Sequence, residues 1–333
     1  MACVTLAREN KMKRIVSIII LAALLCSAAL FTSCDGRVEG SDKPTVVCSI
    51  FPQYDFVKNI VGDRAEVILL QANGADMHSF EPTAKNILDI ARADVLVTVG
   101  GESDGWVEGV LRSADNQELV HIEMFSFAEL LYEETPESMR EHDHAHGHDH
   151  GHDHDHGEGG LYDEHIWTSI KNAIKIVRGL GAELGAAIPE YSHEFSQNAE
   201  KYIEKLEALD SDIEALGLEG KPFIVADRFP FLYFAEEYGL DFLGAFPGCS
   251  SETHASFEIM TYLIDEVERR GADCIFVTEG SSLGIAERIG EETGAKIYVL
   301  NSLQSITDNE LKQGVGYLEL MRKNYEILAE AYG

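Results

Sequence analysis

The side chains best suited to chemistry in this sequence are its histidines, 13 in all. Eight of them, His142, His144, His146, His148, His150, His152, His154 and His156, alternate with Asp, Ala and Gly across residues 141–157. At the pH of a cell exterior most imidazoles are neutral, and neutral imidazoles interleaved with carboxylates bind transition-metal ions. The segment carries no apolar side chain larger than Ala, so it cannot join a packed core and is expected to be a mobile surface loop. Ordering it around a single ion would cost chain entropy, so it should hold several ions weakly. A tight site must be sought among the other five: His78, His121, His165, His193 and His254.

Two of these stand where an α/β sheet presents its ligand crevice, at the ends of elements. His78 lies in a Gly-containing loop, Asn73-Gly74-Ala75-Asp76-Met77-His78-Ser79-Phe80-Glu81-Pro82, between a strand and a helix opening at Thr83. His165 lies in Asp163-Glu164-His165-Ile166-Trp167, where a long helix begins. His121 reads as part of a strand, in its core or at its edge, and His193 as a solvated position on a helix. Of six cysteines, Cys3, Cys26 and Cys34 fall in the leader, leaving Cys48, Cys249 and Cys274. Cys48 reads as a small buried hydrophobe, and Cys249 with Cys274 as one disulfide in an oxidising compartment. No Cys-x-x-Cys pair exists, so the metal site is expected to use His and carboxylates alone.

These residues need elements to position them. After a polar tether (residues 35–43), short apolar runs alternate with amphipathic stretches: strands at 45–50, 65–70 and 95–99, helices at 54–61 and 83–91. The alternation returns with strands at 223–226, 241–246, 274–278 and 296–300, and helices at 231–238 and 257–270. Strands alternating with helices imply parallel sheets, so the expected fold is α/β with two Rossmann-like lobes, 44–165 and 218–333. Between them, residues 166–217 read as helical. A first helix spans 166–184, and a second, over 191–216, places Phe195, Tyr202, Leu206 and Leu209 on one stripe between Pro189 and Gly217. The second, about 39 Å long, would act as a rigid spine.

The first 34 residues read as processing signals. Lys11, Lys13 and Arg14 precede an uncharged apolar stretch, 15–30, and Phe31-Thr32-Ser33 leads to Cys34, as at a lipoprotein cleavage site. About 16 apolar residues fall short of the roughly 20 that span a bilayer. Cys34 would then carry diacylglycerol and tether the mature chain, and residues 1–11 would be an upstream start-codon artefact. With 58 Asp plus Glu against 26 Lys plus Arg, the surface repels phosphate backbones, which argues against nucleic-acid binding.

Taken in order, Ile50-Phe51-Pro52-Gln53-Tyr54-Asp55-Phe56, the Gly74 to His78 loop with Glu81-Pro82-Thr83, the strand from Asp94 to Gly100 and Asp163 to Trp167 resemble the zinc and manganese solute-binding lipoproteins of ABC importers, the ZnuA-like or TroA-like group. The resemblance covers nearly all of the mature chain. It implies two α/β lobes joined by a rigid helix, metal in the cleft between them, and His78 and His165 as the first two ligands. An Asp- and His-rich insertion before the second ligand is typical of the zinc members. Two positions depart from the pattern. Arg228 stands where a third His or Glu is usual, and guanidinium has no lone pair to donate. Asn301 stands where an Asp is frequent and offers only a neutral carbonyl oxygen.

The second lobe must therefore supply other ligands, and His254, Glu279 and Glu252 follow predicted strands. Glu279 is also a salt-bridge candidate for Arg228, and Glu252 or Thr253 a helix cap. Mostly imidazole ligation favours Zn2+ over Mn2+. The expected function is capture of zinc outside the membrane by a monomer that delivers it to an ABC permease and its ATPase, the His-rich loop feeding the cleft. The rivals are a zinc hydrolase, with Glu81 or Glu279 as base, and an extracellular zinc buffer or adhesin; no His-Glu-x-x-His or nucleophile elbow supports the hydrolase.

Overall fold

The computed structural model describes residues 43–72, 74, 76–133, 161–250 and 256–333. The leader with Cys34, the histidines from His142 to His156, Glu252 and His254 lie outside the described residues.

Parallel pairing of short β-branched runs generates two sheets. The first contains β1 (Thr45–Cys48), β2 (Glu66–Leu69), β3 (Val95–Thr98) and β4 (Val120–Glu123) in the order β2-β1-β3-β4. The second contains β5 (Pro222–Phe229), β6 (Asp241–Pro247), β7 (Cys274–Thr278) and β8 (Lys296–Leu300) in the matching order β6-β5-β7-β8. All pairs are parallel. The expected α/β class with two parallel-sheet lobes is what the chain adopts.

The helices are α1 (Phe51–Val61), α2 (Ala84–Ala91), α3 (Val107–Ala114), α4 (Ile170–Ala187), α5 (Ser192–Glu214), α6 (Leu232–Tyr238), α7 (Phe257–Arg270), α8 (Gly284–Thr293), α9 (Asp308–Gln313) and α10 (Tyr317–Tyr332). α1 begins three residues before its apolar periodicity suggests. The buried Gln53 Oε1 accepts from Ser49 N at 2.8 Å and Ile50 N at 3.1 Å, so the turn entering the helix is satisfied from within. α4 starts later than expected, at Ile170: a 3-10 turn (Ile166–Thr168) intervenes, and Ser169 caps the helix by accepting from Asn172 N at 2.9 Å.

Side chains on a strand alternate between its two faces, and here each face has its own core. Val46 and Cys48 of β1, Val95 and Val97 of β3, Phe223 and Val225 of β5, and Cys274 and Phe276 of β7 all enter one apolar cluster with α1, α4, α5 and α10. The opposite face of the first sheet, with Val47 and Leu96, packs on Ile90, Val107 and Val110. That of the second, with Ile224, Ile275 and Val277, packs on Ile259, Leu263 and Ile289. The two lobes thus share a continuous core.

α5 is the expected spine, 23 residues and about 34 Å long. Phe195, Tyr202, Leu206 and Leu209 are all buried. Asn198 Nδ2 donates to Ile60 O at 3.0 Å at one end, and Tyr238 Oη of α6 donates to Asp210 at 2.7 Å at the other. Midway, Tyr202 Oη donates to Asp55 at 2.6 Å. Burial pushes the Asp55 carboxyl up to about 6. The fold therefore favours protonated Asp55, a contribution fully present below the ordinary carboxylate value and lost as pH rises through about 6. Asp55→Asn, with a permanently neutral side chain, should be the more stable form near neutral pH by about 1–3 kcal/mol. The difference should vanish toward about pH 4 in urea unfolding, and a gap independent of pH would contradict this.

Candidate metal centre

His78 and His165 meet. His78 lies in a 3-10 turn (Met77–Ser79) on the connection leaving β2, where Asp76 caps the turn by accepting from His78 N at 3.1 Å. His165 immediately precedes the 3-10 turn that leads into α4 and is 1% exposed. The two Nε2 atoms are 3.4 Å apart. Two nitrogens held at about 2.0–2.1 Å from one tetrahedral zinc stand about 3.4 Å from each other, so the pair is spaced as a chelate. Burial, followed by the neighbouring His165, lowers the His78 imidazole to about 3. It stays neutral, and able to ligate, throughout the physiological range.

The His165 ring is held from behind. Asp163 Oδ1 accepts from His165 N at 2.8 Å and lies 3.1 Å from His165 Nδ1. With Nδ1–H pointing at the carboxylate, the lone pair of Nε2 faces His78, the arrangement that orients a metal-ligating histidine. Tyr233 Oη of α6 donates to Asp163 O at 2.7 Å, and Trp167 Nε1 donates to Ser302 O at 3.0 Å, so the second lobe braces this segment on two sides. Gly248, just after β6, completes the packing. A Cβ there would lie 2.7 Å from Phe229 O and 3.2 Å from His165 Cε1, so only glycine lets the backbone approach the ring this closely.

The next residue is Cys249. Its sulfur and the ligand nitrogens of His78 and His165 all lie within 4.8 Å of one another. The expectation of a Cys249–Cys274 disulfide is wrong, because both thiols are free. Cys274 is buried in the shared core, where its Sγ approaches Ala331 O at 4.0 Å, and Cys249 is held at the cleft by its backbone N–H donating to Glu133 Oε1 at 2.7 Å. Burial, then Asp163 and Glu133, pushes the Cys249 thiol up, so without metal it keeps its proton. A His and carboxylate site was expected, and the donor that the second lobe places beside the two imidazoles is a sulfur.

The remaining candidates among the described residues go elsewhere. Glu279 is not brought to the pair: its carboxylate accepts from Ser302 N and Ser302 Oγ, each at 2.7 Å, and burial raises its pKa. Asn301 organises its own turn, with Oδ1 accepting from Leu303 N at 2.7 Å. His121 sits in β4 at the sheet edge, 3.0 Å from Thr98 Oγ1, and His193 is exposed on α5. Glu252 and His254 lie outside the described residues.

Arg228 does not pair with Glu279. A register shift in the β5–β6 pairing between Val225 and Arg228 re-aims the strand end. The guanidinium then donates to Asp76 Oδ2 at 2.6 Å and to Ser250 O at 3.3 Å. Burial alone would raise the Asp76 carboxyl, but this partner brings it below its ordinary value. The residue that cannot ligate metal therefore ties together the loop bearing His78 and the loop bearing Cys249.

Residues 46–331 match the family described as ZnuA, zinc-uptake complex component A, periplasmic. The chain is 32% identical over 312 residues, 93% of its length, to the zinc-binding lipoprotein AdcA of Streptococcus pneumoniae, and spans 60% of that relative. It is 30% identical to the high-affinity zinc uptake system protein ZnuA of Bacillus subtilis over 92% of this chain and 94% of that one. The solved Zn(II)-bound ZnuA-like domain of Streptococcus pneumoniae AdcA is similar with a TM-score of 0.70 at 28% identity, covering 87% of this chain and 99% of that domain.

Proposed function

The chain belongs to the ZnuA family of zinc-uptake components, and from that membership we propose that it is an extracytoplasmic solute-binding protein that captures Zn2+ in the cleft between its lobes and delivers it to an ABC importer. Zinc is cargo here, and His78 and His165 are its first ligands. The observation that carries the reading is the 3.4 Å separation of their Nε2 atoms, which matches what one tetrahedral zinc demands.

The lobes are divided between two sheets yet share one core beneath α5. Capture in this reading orders the loops around the ion rather than swinging one lobe over a flexible hinge. Contact with the permease would release zinc by loosening those same loops. Cys34 would hold the mature chain at the membrane through lipid, and no helix among the described residues is long and apolar enough to cross one. The antiparallel bridge between Tyr132 and Tyr162 closes the base of the His-rich segment, and Glu133 beside it holds Cys249 N. Ions collected by that segment would therefore be presented to the cleft at high effective concentration.

The test is zinc accumulation by zinc-limited cells lacking the chain. Uptake should fall and recover when the chain is re-expressed, but not when His78→Ala is supplied instead. Uptake indifferent to both would contradict an importer role and leave an extracellular buffer as the better reading.

A further inference from the structure

Both sheets have the same strand order, so the connection leaving β2 in the first lobe corresponds to the connection leaving β6 in the second. The former bears His78 and the latter bears Cys249. Each is fixed by the other lobe or by its neighbours: Asp76, which caps the turn of His78, is bound by Arg228, and Cys249 N is bound by Glu133. Gly248 lets the second connection come within van der Waals contact of the His165 ring. The outcome is a sulfur and two imidazole nitrogens within 4.8 Å of one another.

We propose that Cys249 Sγ is the third protein ligand of the captured Zn2+, so that the site is His78, His165 and Cys249. The inference rests on the zinc-uptake reading and adds to it the residue that sets metal choice. Among the described residues, the second lobe's other candidates are engaged elsewhere, Glu279 with Ser302 and Asn301 with Leu303, and Arg228, bound to Asp76, has no lone pair to give. Binding forms one Zn–S bond and breaks one S–H bond, with the proton passing to water. Four-coordinate zinc then needs one more donor, which a water supplies as well as a side chain does. A thiolate is a soft ligand that zinc accepts readily and manganese poorly, so Cys249 biases the site toward Zn2+.

X-ray absorption at the zinc edge on the purified full chain, loaded with less than one equivalent of Zn2+, tests this. One sulfur at about 2.3 Å is expected alongside nitrogens at about 2.0–2.1 Å. That sulfur should disappear in Cys249→Ala and persist in Cys274→Ala. Zinc affinity of Cys249→Ala should fall by more than the roughly 10–100-fold typical of losing an outer-shell partner. Cys249→Asp, which keeps a ligand but hardens it, should move the Zn2+ to Mn2+ preference toward Mn2+ in competition. Tightly bound zinc with only nitrogen and oxygen neighbours, or a competition ratio unmoved by Cys249→Asp, overturns the cysteine assignment and leaves the uptake reading standing. A chain that takes up no zinc at all overturns both.

Discussion

Replacing His165 by alanine should abolish tight zinc binding, with a loss of affinity well beyond the roughly 10–100-fold that accompanies removal of an outer-shell partner. The residue is 1% exposed and contributes Nε2 to a pair whose separation is already that of a chelate. Its removal destroys the two-nitrogen chelate and leaves His78 as the pair's one imidazole. A chelator-competition titration measures the loss directly. The exposed His193 and the edge-strand His121 serve as controls, and alanine at either should leave the tight constant unchanged. An affinity for His165→Ala within tenfold of the parent would show that zinc is held elsewhere.

The second large effect belongs to a residue that touches no metal. Asp163 accepts from His165 N and faces its Nδ1, and is itself buried. Asp163→Ala frees the ring to rotate, removes the acceptor that selects the Nε2 lone pair, and takes a negative charge away from the cation. All three act in the same direction, so zinc affinity should fall by about 10–100-fold. The same titration checks it, together with thermal unfolding of the metal-free chain. Unfolding should move less than binding does, because Tyr233 and Trp167 still anchor the segment through backbone oxygens. A variant that binds zinc as the parent does would mean that His165 is oriented by its packing against Gly248 and Trp167 rather than by Asp163.

Much of this architecture is legible in the sequence because its signals are local. Apolar runs at 45–50, 95–99, 223–226 and 274–278 mark strands buried on both faces, which is what parallel sheets require. The stripe Phe195, Tyr202, Leu206 and Leu209 marks the spine. His78 and His165 stand out because each lies at the end of an element, beside Asp76 and Asp163 respectively. What escapes local reading depends on pairing across the cleft. Cys249 follows β6 and Cys274 opens β7 of the same lobe, which suggests a disulfide until the fold leaves one in the connection beside His165 and turns the other into the shared core. Arg228 is disqualified as a ligand by its chemistry, yet its task of joining Asp76 to Ser250 O depends on a register shift in β5 that no composition signals. Glu279 has the right chemistry and the wrong neighbours, being consumed by Ser302. One signal was available: if both lobes repeat a plan, the residues after β6 should be compared with those after β2, and that comparison sets Cys249 against His78.

In this reading the cargo sits between the half-buried His78 and the buried His165 rather than on the histidine-rich segment alone. A crystal structure of the chain with limiting Zn2+, phased by anomalous scattering at the zinc edge, tests it most directly. The strongest anomalous peak is expected about 2.0–2.1 Å from the Nε2 atoms of both His78 and His165. A zinc-loaded crystal with no density between those two nitrogens, and ions only on residues 141–157, would contradict it.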